Sequence, residues 1–154
     1  MPVYYLDTSA LVKRYVQEPG TDWILSLTNS VVGNEFFTNW MYGPEIIAAL
    51  ARKERMGEIS IEDKKSTASA FKMDWKEQYQ IVEITAQLAE DAMELADKYG
   101  LRGYDVVHLA AAVVLHNLRN TLNLSVLTFL SADIDQLQAA SAEGLEVDNP
   151  GSKP

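Results

Sequence analysis

The chain contains no cysteine and only two histidines among its 154 residues. Without cysteine there is no disulfide, no thiolate nucleophile and no cysteine-based zinc site. His108 and His116 do not form a metal-spaced pair, so no zinc site is predicted. No apolar run approaches the roughly 18 residues that span a bilayer, and the N-terminus lacks the basic and apolar regions of a secretory signal. We therefore expect a cytoplasmic protein that has no membrane partner.

Basic residues are also scarce, with 13 Lys and Arg against 22 Asp and Glu and a net charge of −9. This balance alone disfavours a nucleic-acid partner, because phosphate affinity depends mostly on Lys and Arg. An enzyme whose acids surround a divalent cation can still bind nucleic acid, since the ion's own charge partly neutralises those acids. Arg52 and Arg102 lie nearest to the crevice predicted below and are the candidates for contacting phosphate.

Apolar segments typical of strands alternate with segments of helical periodicity along the chain. The predicted strands are 35–38, 80–84, 124–130 and 145–147, preceded by a buried strand that ends at residue 6. This alternation predicts an α/β fold, a three-layer α/β/α sandwich with a mainly parallel central sheet. No linker or repeat divides the chain, so we expect one domain over 1–149 and a flexible polar tail over 150–154.

Four acidic residues share one kind of position in this pattern. Asp7 ends the first strand, Asp133 follows the strand 124–130, and Asp105 and Glu45 lie in the first turns of predicted helices. In a doubly wound sheet, the carboxyl ends of the strands and the amino ends of the following helices meet at one edge. We therefore expect all four carboxylates to face one crevice.

Clustered carboxylates repel one another, and a hard divalent cation relieves that repulsion. Mg²⁺ suits such a site because it takes oxygen ligands, keeps several waters and needs only one or two carboxylates directly. A metal held there can activate a water for attack on phosphorus. The alternative for each acid is ordinary helix capping or dipole complementation, typically about 0.3–1 kcal/mol.

Four segments of the chain resemble a PIN domain, and more closely a VapC-type ribonuclease toxin. They are 5–13 (YLDTSALVK), 45–52 (EIIAALAR), 101–112 (LRGYDVVHLAAA) and 131–137 (SADIDQL). The resemblance implies an α/β/α fold that cleaves RNA with Mg²⁺ or Mn²⁺. Carried over residue by residue, it implies these roles: catalytic Asp7, Glu45, Asp105 and Asp133; metal-binding Asp7, Asp105 and Asp133; supporting hydroxyls Ser9 and Ser131. Asp135 competes with Asp133, which we prefer because it lies closer to the strand end.

The leading hypothesis is a metal-dependent endoribonuclease, by resemblance the toxin of a toxin–antitoxin pair. RNA as the substrate, a small antitoxin as the partner and assembly as a homodimer belong to that hypothesis. The alternative is a PIN fold that binds RNA or protein without cleaving anything.

His108 and several aromatic residues have a plainer interpretation. His108 follows Asp105 by one helical turn, but its neighbours are apolar, so a core histidine is predicted. Aromatic rings can stack on RNA bases, yet most of these are predicted to be core or partner-facing: Trp40, Tyr42, Phe71, Trp75 and Tyr79. The apolar face of the helix 61–78 fits either the chain's own core or a second subunit.

Overall fold

The structure, a computed structural model, describes residues 2–154. Within that range it has five strands: β1 (Val3–Leu6), β2 (Glu35–Asn39), β3 (Tyr79–Val82), β4 (Leu127–Leu130) and β5 (Glu146–Asp148). The seven α-helices are α1 (Thr8–Tyr15), α2 (Thr21–Thr28), α3 (Tyr42–Arg55), α4 (Ile61–Glu77), α5 (Ala86–Tyr99), α6 (Gly103–Thr121) and α7 (Ile134–Ala142). None of these helices is both long and apolar enough to span a bilayer.

The strands form a single parallel sheet in the order β3-β2-β1-β4-β5. In the central pairings, Val3 of β1 lies opposite Glu35 of β2 on one side and opposite Leu127 of β4 on the other. The chain adds strands outward from β1 in one direction and then, from β4, in the other. The carboxyl ends of β1 and β4 therefore flank the topological switch point, where doubly wound sheets bind their ligands.

Helices cover both faces of the sheet, which confirms the predicted α/β/α sandwich. Along β1, Val3 and Tyr5 join the core shared with α5, α6 and α7, whereas Leu6 joins the core shared with α1 to α4. This two-sided burial explains why β1 has a continuous apolar run and no alternation of apolar and polar residues.

Helix α6 is buried over only part of its length. All of its buried positions lie within Val106 to Ala112, whereas Val114 and Leu118 are 40% and 53% exposed. The predicted strand 124–130 is also shorter, because residues 124–126 are exposed and only Leu127–Leu130 enter the sheet.

The aromatic residues separate into core and surface. Tyr42, Phe71 and Tyr79 are buried in the core on the α1–α4 face, and Trp75 packs partly against that core. The apolar face of α4 therefore packs within the chain itself, which removes the reason to assign it to a second subunit. Trp40 is 48% exposed.

The C-terminal segment, predicted to be a flexible tail, contains a 3-10 helix at Pro150–Ser152 in which Pro150 is buried. It packs on the start of α2. Gly20 has φ +97°, and a Cβ there would come within 2.2 Å of the Pro150 carbonyl oxygen. Glycine is thus needed at this contact both for its backbone conformation and for space.

Candidate active site

The switch point brings together the loops that follow β1 and β4. The Asp7 backbone N–H donates to the Leu130 carbonyl at 2.9 Å, which extends the pairing of the two strands by one residue. Asp7 itself is 3% exposed. Asp133 lies three residues beyond β4, at the start of α7. The first two predicted site residues therefore lie on neighbouring loops.

The Asp7 carboxylate is held on both oxygens. Its Oδ2 accepts from the Ser9 backbone N–H at 3.1 Å and from the Ser9 hydroxyl at 2.6 Å, and its Oδ1 accepts from Gln136 Nε2 at 3.1 Å. Asp7 is thus the N-cap of α1, the alternative role that the sequence allowed for each acid. Capping does not exclude a further role, since each carboxylate oxygen has two lone pairs.

Serine hydroxyls join the two loops. Ser9 Oγ accepts from the Ala132 N–H at 2.9 Å, and Ser131 Oγ accepts from the Asp133 N–H at 3.0 Å. Ser131 is fully buried, and Asp133 Oδ1 caps α7 by accepting from the Gln136 N–H at 3.2 Å. The two hydroxyls carried over from the resemblance therefore lie where they fix the acid-bearing loops.

Gln136 is a site residue that the sequence argument did not single out. It is fully buried, its Oε1 accepts from Ser131 Oγ at 2.7 Å, and its Nε2 donates to Asp7 Oδ1 and to the Asp105 carbonyl oxygen, each at 3.1 Å. The available signal was its place three residues after the capping Asp133, where glutamine often completes a capping pair. Here its side chain turns inward to the acids.

Asp105 lies in the first turn of α6 and feels the charge of the other acids. Partial burial, followed by the charges of Asp7 and Asp133, raises the pKa of Asp105 from 3.8 to about 6, with a smaller contribution from Glu45. Repulsion of this kind requires the four carboxylates to lie near one another. Asp135 is exposed in the first turn of α7 and makes no such contribution.

Glu45 lies in the first turn of α3. Its Oε2 accepts from Thr8 Oγ1 at 2.8 Å, and its Oε1 lies 2.8 Å from His108 Nε2. Pro44 directly precedes it without disturbing the helix, because a proline is tolerated in the first turn. Thr8 and His108 are thus two further residues in contact with a predicted catalytic acid.

His108 is fully buried, as predicted for a core histidine, yet it also reaches the site. Burial lowers the pKa of His108, but the hydrogen bond with Glu45 and the charges of Asp7, Glu45 and Asp105 outweigh burial and raise it. The imidazole therefore links the apolar core to the carboxylates.

A cavity of about 820 Å³ opens beside Glu45. Its lining includes Thr8, Ser9 and Glu45 at one end, with Arg52 and Tyr104 on its walls. Tyr104 is 64% exposed. Arg102, the other candidate for contacting phosphate, is exposed at the start of α6 but does not line this cavity.

The chemistry of the acids fits a hydrated hard cation. Among residues 2–154, no three Asp, Glu or His side chains lie close enough to cage a metal directly. The donors near the switch point are nevertheless oxygens, and partial burial together with the charges of Asp7 and Asp133 raises the pKa of Asp105 to about 6. Mg²⁺ commonly keeps several waters and takes one or two carboxylates directly, so the arrangement suits coordination partly through water.

Comparison with known proteins agrees with this geometry. The family model of the PIN domain matches residues 4–142, so the chain belongs to the PIN domain family. Ribonuclease VapC45 and Ribonuclease VapC49 of Mycobacterium tuberculosis, from strains CDC 1551 / Oshkosh and ATCC 25618 / H37Rv, are each 31% identical over 118 residues. Each alignment covers 75% of this chain and 78% of the relative.

A solved structure has the same fold. VapBC2 from Rickettsia felis, bound to a DNA fragment from their promoter, matches with a TM-score of 0.60 and 16% sequence identity. The match covers 96% of this chain and 98% of that chain. At this identity the likeness concerns the fold alone.

Proposed function

We propose that this PIN-domain protein is a metal-dependent endoribonuclease that acts in the cytoplasm as the toxin of a toxin–antitoxin pair. The observation that carries the proposal is the convergence of acids at the switch point. Asp7 and Asp133 lie on the neighbouring loops that follow β1 and β4, and partial burial together with their charges raises the pKa of Asp105 to about 6. The two relatives named as ribonucleases share enough sequence to support the same activity here.

Asp7, Asp105 and Asp133 are the residues that would hold Mg²⁺ or Mn²⁺, partly through waters. When bound, such an ion lowers the pKa of a water and stabilises the leaving oxygen of a phosphodiester. Ser9 and Gln136 fix the orientation of the Asp7 carboxylate by hydrogen bonds to its two oxygens. Asp133 is favoured over Asp135 because Asp133 contributes to the charge felt by Asp105.

Glu45 is the fourth acid, and its role is to orient the attacking water and accept its proton. Each of its oxygens already accepts one hydrogen bond, and the remaining lone pairs are free for that water. Arg52, which shares a cavity with Glu45, is suited to contact a phosphate of the RNA. A guanidinium offers the planar, paired donors that phosphate oxygens favour.

Two protein partners belong to the proposal, a small antitoxin and a second copy of the chain. A small antitoxin is the partner that the similarity to the VapC ribonucleases implies. A homodimer is supported by apolar side chains left exposed near the end of α6 and after it: Leu118, Leu122, Leu124 and Val126 are each 50–56% exposed. Large apolar side chains left exposed in one part of the chain are typical of an interface.

The test is cleavage of a panel of labelled RNA oligonucleotides in Mg²⁺, Mn²⁺ or EDTA, with Asp7→Asn protein as the control. We expect cleavage in either metal, none in EDTA and none with the variant. RNA binding without cleavage under all conditions would favour the binding module, which the net charge of −9 keeps as the second candidate.

A further inference from the structure

We infer that His108 is a positioning residue that holds the Glu45 carboxylate in one orientation through a buried network beginning at Tyr5 and Asn39. The inference rests on the proposed nuclease activity of this site. It assigns a role in that activity to His108, which is not one of the four acids, and it explains how the Glu45 carboxylate keeps its orientation.

The two oxygens of Glu45 are anchored by different parts of the fold. Thr8, at the start of α1, donates to Oε2 at 2.8 Å, and His108, from the middle of the buried half of α6, contacts Oε1 at 2.8 Å. The Glu45 side chain is 23% exposed and the His108 side chain is 0% exposed. The Glu45 carboxylate, which lines the cavity, is thus held in place by a side chain buried in the protein core.

The hydrogen-bond partners of the other ring nitrogen of His108, Nδ1, determine whether Nε2 donates or accepts a hydrogen bond. Its Nδ1 lies 3.1 Å from the Tyr5 hydroxyl and 3.1 Å from Asn39 Nδ2. Asn39 Oδ1 accepts from the Met41 N–H at 2.9 Å, so the amide nitrogen of Asn39 must face the imidazole and Tyr5. Nδ1 therefore meets donors and acts as the acceptor, which leaves the ring proton on Nε2.

That proton is the one that points at Glu45. Nε2 donates to Glu45 in the neutral ring and would also donate in the charged ring, so the contact does not depend on titration. Glutamate has three rotatable side-chain bonds, and losing one of two anchors leaves the carboxylate free to turn away from the cluster. A displacement of about 1 Å near reacting groups can lower a rate on the order of 100-fold.

The experiment compares two variants of His108 whose amide side chains each take the place of only one of the two ring nitrogens. In His108→Gln the amide nitrogen can take the place of Nε2 and donate to Glu45. In His108→Asn the shorter amide lies near the position of Nδ1 and cannot reach Glu45. Cleavage of a fluorescent single-stranded RNA oligonucleotide in Mg²⁺ is measured for both, together with the melting temperature.

We expect kcat to fall on the order of 10- to 100-fold in His108→Asn with little change in KM, and glutamine to restore most of the rate. Thr8→Val, which removes the other anchor from a partly exposed position, should lower kcat in the same way. Tyr15→Phe is the control, because it removes a hydroxyl bonded to Asp74 at 2.7 Å in another part of the core. It should lower the melting temperature and leave kcat unchanged.

Equal loss of rate in both His108 variants, or rates that simply follow melting temperature across the set, would overturn the inference. Nitrogen-15 NMR of histidine-labelled wild-type protein gives a test without RNA. It should show a slowly exchanging proton on Nε2 of His108, and a proton on Nδ1 alone would refute the network. If the wild type cleaves no RNA, the proposed activity fails, whereas the NMR result still decides the arrangement of His108.

Discussion

One amide nitrogen ties together two of the site acids: Gln136 Nε2 lies 3.1 Å from Asp7 Oδ1 and 3.1 Å from the carbonyl oxygen of Asp105. The loop after β1 and the first turn of α6 are thereby held at a fixed separation by a side chain from α7. Because Gln136 is fully buried, water cannot replace these bonds if the donor is lost.

Gln136→Glu should destabilise the metal-free protein. The substitution keeps the size of the side chain but replaces two donated hydrogen bonds by contacts between oxygens, and it adds a charge next to Asp7. We expect a loss of at least about 1–3 kcal/mol in the free energy of unfolding by urea. Gln138→Glu, at an exposed position of the same helix, is the matched control and should change stability by less than about 0.5 kcal/mol. Equal stability of the two variants would contradict the role of Gln136.

Asp105→Asn should abolish cleavage without unfolding the protein. The amide keeps the shape of the side chain and removes the charge that attracts the cation, so the rate should fall by orders of magnitude, roughly 100-fold or more. In EDTA the melting temperature should stay level or rise, since one of the mutually repelling charges is gone. An acid that merely complements the helix dipole would give the opposite pattern, with normal cleavage and a loss of under about 1 kcal/mol in stability.

The pH dependence of metal-free stability should report the raised pKa of Asp105, which burial and the neighbouring acids cause together. The pKa of Asp105 is about 6 in the folded chain and 3.8 as its ordinary value, so the folded state binds the proton more tightly. Below about pH 4, Asp105 is protonated in both the folded and the unfolded state and does not reduce stability. As the pH rises through about 6 the folded protein loses stability, because Asp105 must then be charged in an unfavourable place. Urea unfolding in EDTA should therefore find Asp105→Asn equal to wild type near pH 4 and more stable at pH 7. Asp105 is half-exposed and screened by solvent, so a gain no larger than about 1 kcal/mol is expected. If Asp105→Asn is more stable than wild type by the same amount at pH 4 and at pH 7, the titration of Asp105 is not the cause of the gain.

Asp133 and Asp135 offer a pair of substitutions two residues apart. Asp133→Asn should weaken Mg²⁺ or Mn²⁺ binding in calorimetry and reduce cleavage, because Asp133 contributes to the field at Asp105. Asp135→Asn should leave both within about twofold, as is usual for an exposed surface position. If Asp135→Asn is the more damaging of the two, the fourth acid has been assigned to the wrong residue.

The exposed apolar side chains after the buried half of α6 should form the interface of a homodimer. At micromolar concentration, sedimentation should give about twice the chain mass of 17.2 kDa. Leu118→Glu should shift the protein to monomer, because Leu118 is 53% exposed and a charge there would be buried by association. Leu25→Glu is a suitable control, since Leu25 is 46% exposed on α2 and lies outside this surface. A wild type that is monomeric throughout would argue against the dimer.

Local patterns predicted much of this fold. The continuous apolar run of Val3 to Leu6 indicated a buried strand, and the structure confirms it as β1. Alternation of strands and helices then placed the acids at one edge, because the parallel arrangement brings strand ends together. These features depend on short stretches of sequence and on the general geometry of parallel sheets.

The contacts between the site side chains were not predictable in this way. Gln136 reaches Asp7 across 129 positions of the chain, and His108 reaches Glu45 across 63. No local period records such pairs, and an imidazole surrounded by apolar residues gives the same sequence signal whether or not it contacts an acid. The same limit holds at short range. Asp7, Thr8 and Ser9 are consecutive and all three residue types cap helices well, so the sequence alone did not show which of them caps α1.

The pairing of β1 with β4 also determines how early during translation the central sheet can form. Val3 pairs with Leu127, so the central strand lacks one of its neighbours until most of the chain has left the ribosome. Pairings so distant in sequence form late, because a long loop must close before any contact compensates its lost entropy. Asp7 emerges early, but its partners Gln136 and Asp133 are translated last among the site residues. The proposed acidic site therefore cannot assemble until the segment that carries Asp133 and Gln136 has been translated, so an early, incomplete chain would not yet carry a nuclease site.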